Sequence, residues 1–319
     1  MVRIEEFIGD NERIDVISGG GKSTPVPRSW RPLLDSCDLL VAIPDMHMYY
    51  YSSPLDGFRC GAEAMLHFLQ HLDFVRRSHP NRRLRIFQLG DLYELWFSHP
   101  RTGRTMKPED IWKSHPLYEE IHRLFCLLRV ERISGNHDYR YVTNTDVQLN
   151  VREGKVHLEH GFTADRWYHF SNPHRPLWRA AMTGLKALRN IESGLRGRAA
   201  KRDDGQLLRN SAWGIGSGEV ELETFTKPEE YRRRSLLHYS RLCRNHREVS
   251  QPIRLVLVGH THKPYIDPDF ADGNTFYIDA GAWSYGRSDF AVVTNEEVAV
   301  CHYARQVQEP ARVLYRQAV

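Results

Sequence analysis

The chain has 319 residues, of which 41% are hydrophobic and 26% are charged, and its formal net charge is +4. This composition is typical of a folded globular enzyme and excludes a largely disordered chain. No apolar run approaches the length of a membrane span, and residues 1–10 lack the hydrophobic segment of a signal peptide, so we expect a cytoplasmic protein. The five cysteines are scattered singly, which argues against a zinc knuckle or a disulfide framework.

Residues 1–35 predict an irregular leader. The run at 19–24 (GGGKST) has the composition of a phosphate-binding loop, but the position that needs the first glycine holds Val16. Pro25 and Pro27 follow where the helix of such a loop should begin, and prolines there prevent it. We therefore interpret the run as a flexible glycine turn.

Beyond this leader, strand-like and helix-like segments alternate. Short apolar runs predict strands at residues 38–43, 84–89, 130–134, 155–158, 253–258, 275–278, 290–293 and 298–303. Apolar residues at helical spacing predict helices at 61–77 and 108–128. Strands separated by helices indicate an α/β fold with a mostly parallel sheet packed by helices, and the late run of strands predicts a second, more antiparallel sheet.

Residues 174–247 depart from this alternation and predict a helical cap insertion. An amphipathic helix is expected from about 176 to 195, a glycine-rich stretch follows, and a second helix is expected from about 229 to 244. The core would then consist of residues 36–173 and 248–319.

Short polar motifs follow the predicted strands of the core. They are Asp45-Met46-His47, Gly90-Asp91, Gly135-Asn136-His137-Asp138, His160-Gly161 and Gly259-His260-Thr261-His262. In open α/β sheets, sites form just beyond the C-terminal ends of the strands. A D-x-H or H-x-H step in an extended segment would place both side chains on the same side, where they could reach one ion.

The donor atoms of these motifs are oxygens and imidazole nitrogens, without a thiolate. This set suits Mn²⁺, Fe or Zn²⁺ better than Ca²⁺ or Cu⁺. Seven ligands are too many for one tetrahedral ion, but they fit two ions that share a carboxylate. We expect two divalent ions, with Mn²⁺ preferred and Fe or Zn²⁺ as alternatives.

The motifs and their order resemble those of the calcineurin-like metallophosphoesterases, over roughly residues 39–281 apart from the insertion. The resemblance implies a calcineurin-like phosphoesterase sandwich, in which two mixed β-sheets are flanked by helices. It also implies a dinuclear metal-dependent phosphohydrolase, in which a hydroxide bridging the two metals attacks a phosphomonoester or pyrophosphate bond. A DNA or RNA nuclease of the same superfamily and a noncatalytic scaffold are the alternatives.

The resemblance also implies a role for each motif residue. The first metal would be held by Asp45, His47 and His262, and the second by Asn136, His160 and His260, with Asp91 bridging the two. His157 is the alternative to His160, which we prefer because it precedes Gly161, as the family's histidine precedes a glycine.

The resemblance further implies a proton donor. His137 would protonate the leaving oxygen as the general acid. Glu94 lies three residues after Asp91, where phosphatases of this family carry an orienting carboxylate, so we expect it to hold His137. Asp138 is the alternative for that role.

The run Gly90-Asp91-Leu92-Tyr93-Glu94-Leu95-Trp96 resembles that of the UDP-2,3-diacylglucosamine hydrolases. Asp165 after His160-Gly161 and Lys263-Pro264 after the last motif extend the resemblance. It departs at His137, where that family commonly has arginine, and at Phe162, where it has aspartate. A nucleotide sugar or a lipid precursor is therefore one expected substrate.

The predicted cap is rich in basic residues. Arg179, Arg189 and Arg196 lie on its amphipathic helix, and we expect them to bind an anionic phosphorylated small-molecule substrate. The alternative is that they form the solvated face of a surface helix. Nucleic acid is a less favoured partner, because aromatic residues that would stack on bases are sparse among the basic ones.

Overall fold

The computed structural model describes residues 14–16, 37–53, 55–151, 154–164, 228–248, 251–273, 275–295, 297–303 and 316–317. The glycine run at 19–24, the predicted cap helix at 176–195 and Asp165 lie outside the described residues. The three predicted cap residues Arg179, Arg189 and Arg196 also lie outside them. Their expected contact with substrate stays a prediction.

The first sheet has seven strands in the order β1-β11-β10-β2-β3-β4, with β12 paired to β11. Their bounds are β1 Ile14–Val16, β2 Leu39–Ile43, β3 Leu84–Gln88, β4 Glu131–Arg132, β10 Asp289–Thr294, β11 Val298–Tyr303 and β12 Arg316–Gln317. Strands β2, β3 and β4 run parallel, and the remaining pairs are antiparallel. The sheet is therefore mixed, and its parallel half lies at one side.

The second sheet has five strands in the order β5-β6-β7-β9-β8. Their bounds are β5 Asp146–Val151, β6 Gly154–Glu159, β7 Ile253–Val258, β8 Tyr265–Asp269 and β9 Thr275–Asp279. Strands β6, β7 and β9 are parallel, and the two outer strands are antiparallel to their neighbours. This sheet is mixed as well.

The two sheets pack face to face through alternate residues of their strands. Leu40 and Ala42 of β2 join Leu255 and Leu257 of β7 in one buried cluster. The alternate residues of β2, such as Val41, belong to another cluster that includes the helices beside the first sheet. Since successive side chains of a strand point to opposite faces, β2 is buried on both sides. The predicted architecture of two mixed β-sheets flanked by helices is confirmed.

The helices cover the outer faces of the sheets. They are α1 Ala62–Ser78, α2 Pro108–Trp112, α3 Pro116–Leu127, α4 Pro228–Glu248 and α5 Phe270–Gly273. Phe68 of α1 packs on Phe290 of β10, with ring centroids 4.5 Å apart. On the other side, Tyr239 of α4 is buried against Val256 and Tyr277 of the second sheet. None of the helices in the described ranges is long and apolar enough to cross a membrane.

Helix α4 coincides with the second helix predicted for the cap insertion and extends it at both ends. Its buried residues pack on the second sheet, so this part of the predicted insertion contributes to the core. The boundaries of the insertion stay a prediction.

Four details of the fold differ from the predictions. The helix predicted at 108–128 is two helices, because Pro116 has no N–H for the preceding turn and begins a new helix instead. Strands β5, β8 and β12 and the short helix α5 were not predicted, although the sequence DVQLNV of β5 alternates polar and apolar residues. Strand β1 lies within the segment predicted to be an irregular leader.

The fourth difference concerns the late strands, which do not form a sheet of their own. Strand β9 joins the second sheet parallel to β7, whereas β10 and β11 return to the first sheet beside β2. The chain between β9 and β10 crosses from the second sheet to the first. Within this segment, Ala282 forms an isolated parallel β-bridge with Asp45.

Asp56 provides a test of the packing between α3 and the loop that precedes α1. Its buried carboxylate accepts hydrogen bonds from the Tyr118 hydroxyl and from the backbone N–H groups of Tyr49 and Phe58. Burial nevertheless raises the pKa of Asp56 from 3.8 to about 7. The folded protein therefore holds a proton that the unfolded chain releases, so its stability should fall as the pH rises from about 4 to about 7.

We expect Asp56→Asn to abolish this part of the pH dependence, because the amide does not titrate in that range. Urea unfolding midpoints measured from pH 4 to pH 8 would show the wild type losing stability relative to the variant as the pH rises. Glu63→Gln, at an exposed position of α1, is the control and should leave the profile unchanged. Parallel profiles for wild type and Asp56→Asn would contradict the prediction.

Candidate metal centre

The predicted ligands converge at one edge of the sandwich. Asp45 and Asp91 follow β2 and β3 of the first sheet, and His160 and His260 follow β6 and β7 of the second. All four strands are parallel within their sheets, so their C-terminal ends reach the same edge. Asp45, Asp91 and His160 are at most 1% exposed.

The two carboxylates are held in the same manner. One oxygen of each accepts a backbone N–H, from His260 to Asp45 Oδ2 and from His137 to Asp91 Oδ1, both at 2.8 Å. The other oxygen of each faces the imidazoles. Asp45 Oδ1 lies 3.0 Å from His160 Nε2, and Asp91 Oδ2 lies 3.3 Å from the same nitrogen. His160 therefore contacts both carboxylates.

His262 and His47 approach the cluster from the other side. His262 Nε2 lies 3.3 Å from Asp45 Oδ1 and 3.2 Å from His47 Nε2. His47 Nε2 lies 3.8 Å from both Asp45 Oδ1 and Asp91 Oδ2. The imidazole nitrogens thus point at the carboxylates from different directions.

The ionisation of the cluster reflects competition between burial and charge. Burial by itself would raise the pKa of Asp45 and Asp91, but the neighbouring imidazoles, His160 foremost, hold the pKa of each below its usual range. Burial would lower the pKa of His47, yet Glu94, Asp91 and Asp45 raise it to about 9. The two carboxylates therefore keep their charge and create a site that favours positive charge.

The donor atoms fit metal binding. Asp45, His47 and His262 each contribute one possible ligand atom, and the three atoms lie within 4.8 Å of one another. These three residues are the set predicted for the first metal. Ligand atoms of Asp91, His160 and His260, together with Asp45, form a second such group. Asn136, the remaining predicted ligand, has a buried Oδ1 without a hydrogen-bond partner among the described residues. Such an oxygen suits a metal ligand, because a buried acceptor left unpaired is costly.

His137 lies beside Glu94. His137 Nδ1 is 2.7 Å from Glu94 Oε2, and His47 Nδ1 is 3.5 Å from the same oxygen. Burial would raise the pKa of Glu94, but the two histidines hold that pKa well below its usual range. His137 Nε2 is 3.8 Å from Asp91 Oδ2, so this ring nitrogen faces the cluster.

Asp138 and His157, the alternatives to Glu94 and His160, contact other partners. Asp138 accepts the backbone N–H groups of Gly135 and Leu92, both at 2.9 Å, and thereby joins the loops that carry Asn136 and Asp91. His157 Nε2 lies 2.9 Å from Glu159 Oε2. In the described part of the chain, His157 belongs neither to these two ligand groups nor to a third, formed by His47, Asp91 and His137. The geometry favours Glu94 over Asp138 as the partner of His137, and His160 over His157 as a ligand.

The glycines of the motifs permit this close packing. A Cβ on Gly135 would lie 2.0 Å from Asp91 Oδ1, and a Cβ on Gly259 would lie 2.4 Å from Asp45 Oδ2. A Cβ on Gly90 would lie 2.6 Å from the ring of His160. Each of these three glycines therefore leaves room for a ligand that belongs to another motif.

The backbone at four of the predicted ligands is left-handed, contrary to the expectation of extended D-x-H and H-x-H steps. The φ angles are 49° at His47, 51° at Asp91, 75° at His260 and 58° at His262. This left-handed conformation is uncommon for residues other than glycine and is found at functional sites. Tight turns, and not strand alternation, bring these side chains together.

Two residues near the cluster were not assigned a role from the sequence. Asp279, at the end of β9, accepts a hydrogen bond from Thr261 Oγ1 at 2.6 Å and so holds the loop that carries His260 and His262. The indole of Trp96 stacks on the imidazole of His137. Both could have been considered, since Asp279 is another polar residue at a strand end and Trp96 belongs to the motif that contains Asp91.

No protein-family model and no curated protein matches the chain. Among solved structures, it is similar to a dimetal phosphatase from Danio rerio, with a TM-score of 0.42, 11% identity and coverage of 88% of this chain and 100% of that one. It is similar to a predicted phosphoesterase from Streptococcus pneumoniae, with a TM-score of 0.32, 12% identity and coverage of 82% and 88%. A single-mutant Vps29 from Entamoeba histolytica has a TM-score of 0.36, 12% identity and coverage of 82% and 89%. These similarities assign neither substrate nor activity to the chain.

Gly135→Ala tests whether the close approach of the two loops builds the metal centre. The new Cβ would collide with Asp91 Oδ1, so Asp91 must move, and we expect Mn²⁺ affinity to fall by about 10–100-fold, as for the loss of other supporting contacts around metals. Titration calorimetry would measure this change.

Gly103→Ala is the control, because no atom lies within 4 Å of its Cβ, although Gly103, unlike Gly135, has a positive φ. It should lower stability without changing metal affinity. An unchanged Mn²⁺ affinity in Gly135→Ala would contradict the prediction.

Proposed function

We propose that the chain is a dinuclear metal-dependent phosphoesterase that hydrolyses a phosphomonoester or pyrophosphate bond. The observation that carries the proposal is the pair of buried carboxylates, Asp45 and Asp91, which share His160 and are surrounded by further imidazoles at the strand ends. When bound, two divalent ions would polarise the phosphoryl group and lower the pKa of a water molecule. With oxygen and imidazole donors and no thiolate, we propose Mn²⁺ as the preferred ion, ahead of Fe or Zn²⁺.

In this proposal, His137 supplies the proton that the leaving oxygen needs. Its Nδ1 lies against Glu94, and its Nε2 faces Asp91, so the ring presents one nitrogen to the cluster. Glu94 also lies 3.5 Å from His47 Nδ1, so one carboxylate orients both the proton donor and a predicted ligand. Such supporting contacts are a general feature of metal sites.

The substrate reaches the cluster from the side of the last motif. His260 and His262 are partly exposed, whereas Asp45 and His160 are fully buried. The phosphoryl group would therefore approach from the His260–His262 side. A nucleotide sugar or lipid precursor stays a prediction based on the Gly90–Trp96 motif, and hydrolysis assays on nucleotides, nucleotide sugars, UDP-diacylglucosamine and DNA would test it.

The wild type is expected to bind two Mn²⁺ ions per chain. Because His262 lies in the group predicted for the first metal, His262→Ala should lose about one of the two, as measured by elemental analysis after equilibration with Mn²⁺. His67→Ala, at an exposed position of α1, is the control and should keep both. A single ion in the wild type would exclude the bridging role of Asp91, and equal losses in the two variants would exclude His262 as a ligand.

His137→Ala should keep both metals and lose most of the activity. General acid catalysis typically contributes about 10²–10⁴-fold, so a loss in this range is expected on alkyl phosphates, whose leaving oxygens need the proton most. The loss should be smaller on p-nitrophenyl phosphate, whose leaving group departs without protonation. Steady-state kinetics on both substrates measures the difference, and an equal loss on the two would argue against proton donation.

A further inference from the structure

The imidazole of His137 lies in face-to-face contact with an indole. The ring centroids of Trp96 and His137 are 3.9 Å apart, and the angle between the ring planes is 6°. The rings of His137 and His47 are also in perpendicular contact, with centroids 4.7 Å apart and planes at 86°. The His137 ring is thus packed by an aromatic face and by the ring of a predicted metal ligand.

Trp96 is itself held by two hydrogen bonds to the same site. Its backbone N–H donates to Glu94 Oε1 at 2.9 Å, and its indole Nε1–H donates to the backbone oxygen of Asn136 at 3.0 Å. The first bond fixes the carboxylate whose other oxygen lies against His137 Nδ1. The second bond fixes the indole to the loop that carries Asn136 and His137.

From these contacts we infer that Trp96 is a positioning residue for His137, which sets the plane of the imidazole so that Nε2 faces the reacting oxygen. The inference rests on the proposed function, because the positioning matters only if His137 donates the proton. The contact of His137 Nδ1 with Glu94 fixes the position of one ring atom. The imidazole could still rotate about the line that joins Nδ1 to the carboxylate. The stacked indole removes this rotation, and Trp96 thereby fixes the direction of Nε2.

The reason that such positioning affects the rate is geometric. A proton donor must lie within hydrogen-bond reach of the atom that receives the proton, and a displacement of about 1 Å can lower the rate by about 10²-fold. The proposed function assigns His137 to proton donation and not to binding of the metals or the substrate. Loss of the indole should therefore lower kcat and leave KM and the metal content unchanged.

The variants Trp96→Leu and Trp96→Phe test this inference. We expect Trp96→Leu to lower kcat on alkyl phosphates by at least about tenfold, with a smaller loss on p-nitrophenyl phosphate and an unchanged KM. Trp96→Phe keeps an aromatic face on His137 and should retain most of the activity. A rise in KM with kcat unchanged would overturn the inference, because it would assign the indole to substrate binding.

Trp112→Leu is the matched control. Trp112 of α2 stacks on His122 of α3, with centroids 4.6 Å apart and planes 3° apart, and these helices carry none of the predicted ligands. The variant should have the kinetics of the wild type. A loss equal to that of Trp96→Leu would overturn the inference, because loss of any stacked tryptophan would then suffice.

Adding Trp96→Leu to His137→Ala separates an action through His137 from an independent one. If the indole acts through His137, the double variant has the same kcat as His137→Ala alone. A further loss of kcat in the double variant would overturn the inference.

Proton NMR of the metal-free protein tests the stack without any activity. In the wild type and in Trp112→Leu, the imidazole protons of His137 should resonate upfield because the indole lies over them, and in Trp96→Leu this shift should disappear. An unshifted His137 signal in the wild type would overturn the inference. A shifted signal in a protein that hydrolyses no phosphate ester would refute the proposed function alone.

Discussion

The arrangement of the site depends on the burial of two carboxylates within reach of one imidazole. A buried charge costs several kcal/mol unless it is paired and hydrogen-bonded. Asp45 and Asp91 each receive one backbone N–H, and His160 contacts both. The imidazoles hold the pKa of both carboxyls down against the effect of burial. The surrounding loops allow the short distances between Asp45, Asp91 and His160 on which this pairing of charges depends.

That close approach accounts for several features that would otherwise be unfavourable. Gly135 and Gly259 leave room for the carboxylates of Asp91 and Asp45, which any larger residue would displace. The left-handed backbone at the ligands turns their side chains toward a common centre. Asp138 joins the loops of two motifs by accepting N–H groups from both, and burial together with the charge of Asp91 raises its pKa to about 6. Strain and buried charge are concentrated where the site is built.

The site also requires both sheets. Its carboxylates follow strands of the first sheet, whereas His160, His260 and His262 follow strands of the second, so the cluster forms only when the sheets pack. Helix α4 is bonded to the second sheet beside the site, because the buried hydroxyl of Tyr239 donates to Glu159, the residue before His160. The same carboxylate accepts the Thr163 hydroxyl and lies against His157. The helix beyond the second sheet is therefore connected to a predicted ligand by a buried polar network.

The sequence by itself determined the main strands, the fold class and the convergence of the motifs, because long apolar runs followed by polar residues mark strand ends without reference to the rest of the chain. It did not determine which sheet receives β10, since an apolar strand can pair with any neighbour of suitable register. Nor did it decide between Glu94 and Asp138 as the partner of His137, because both lie close to a motif in the chain. Only the tertiary structure decided that, by directing Asp138 to backbone N–H groups and Glu94 to His137. The stack of Trp96 on His137 was likewise beyond the sequence, because it joins side chains from two loops that meet only when β3 and β4 lie side by side.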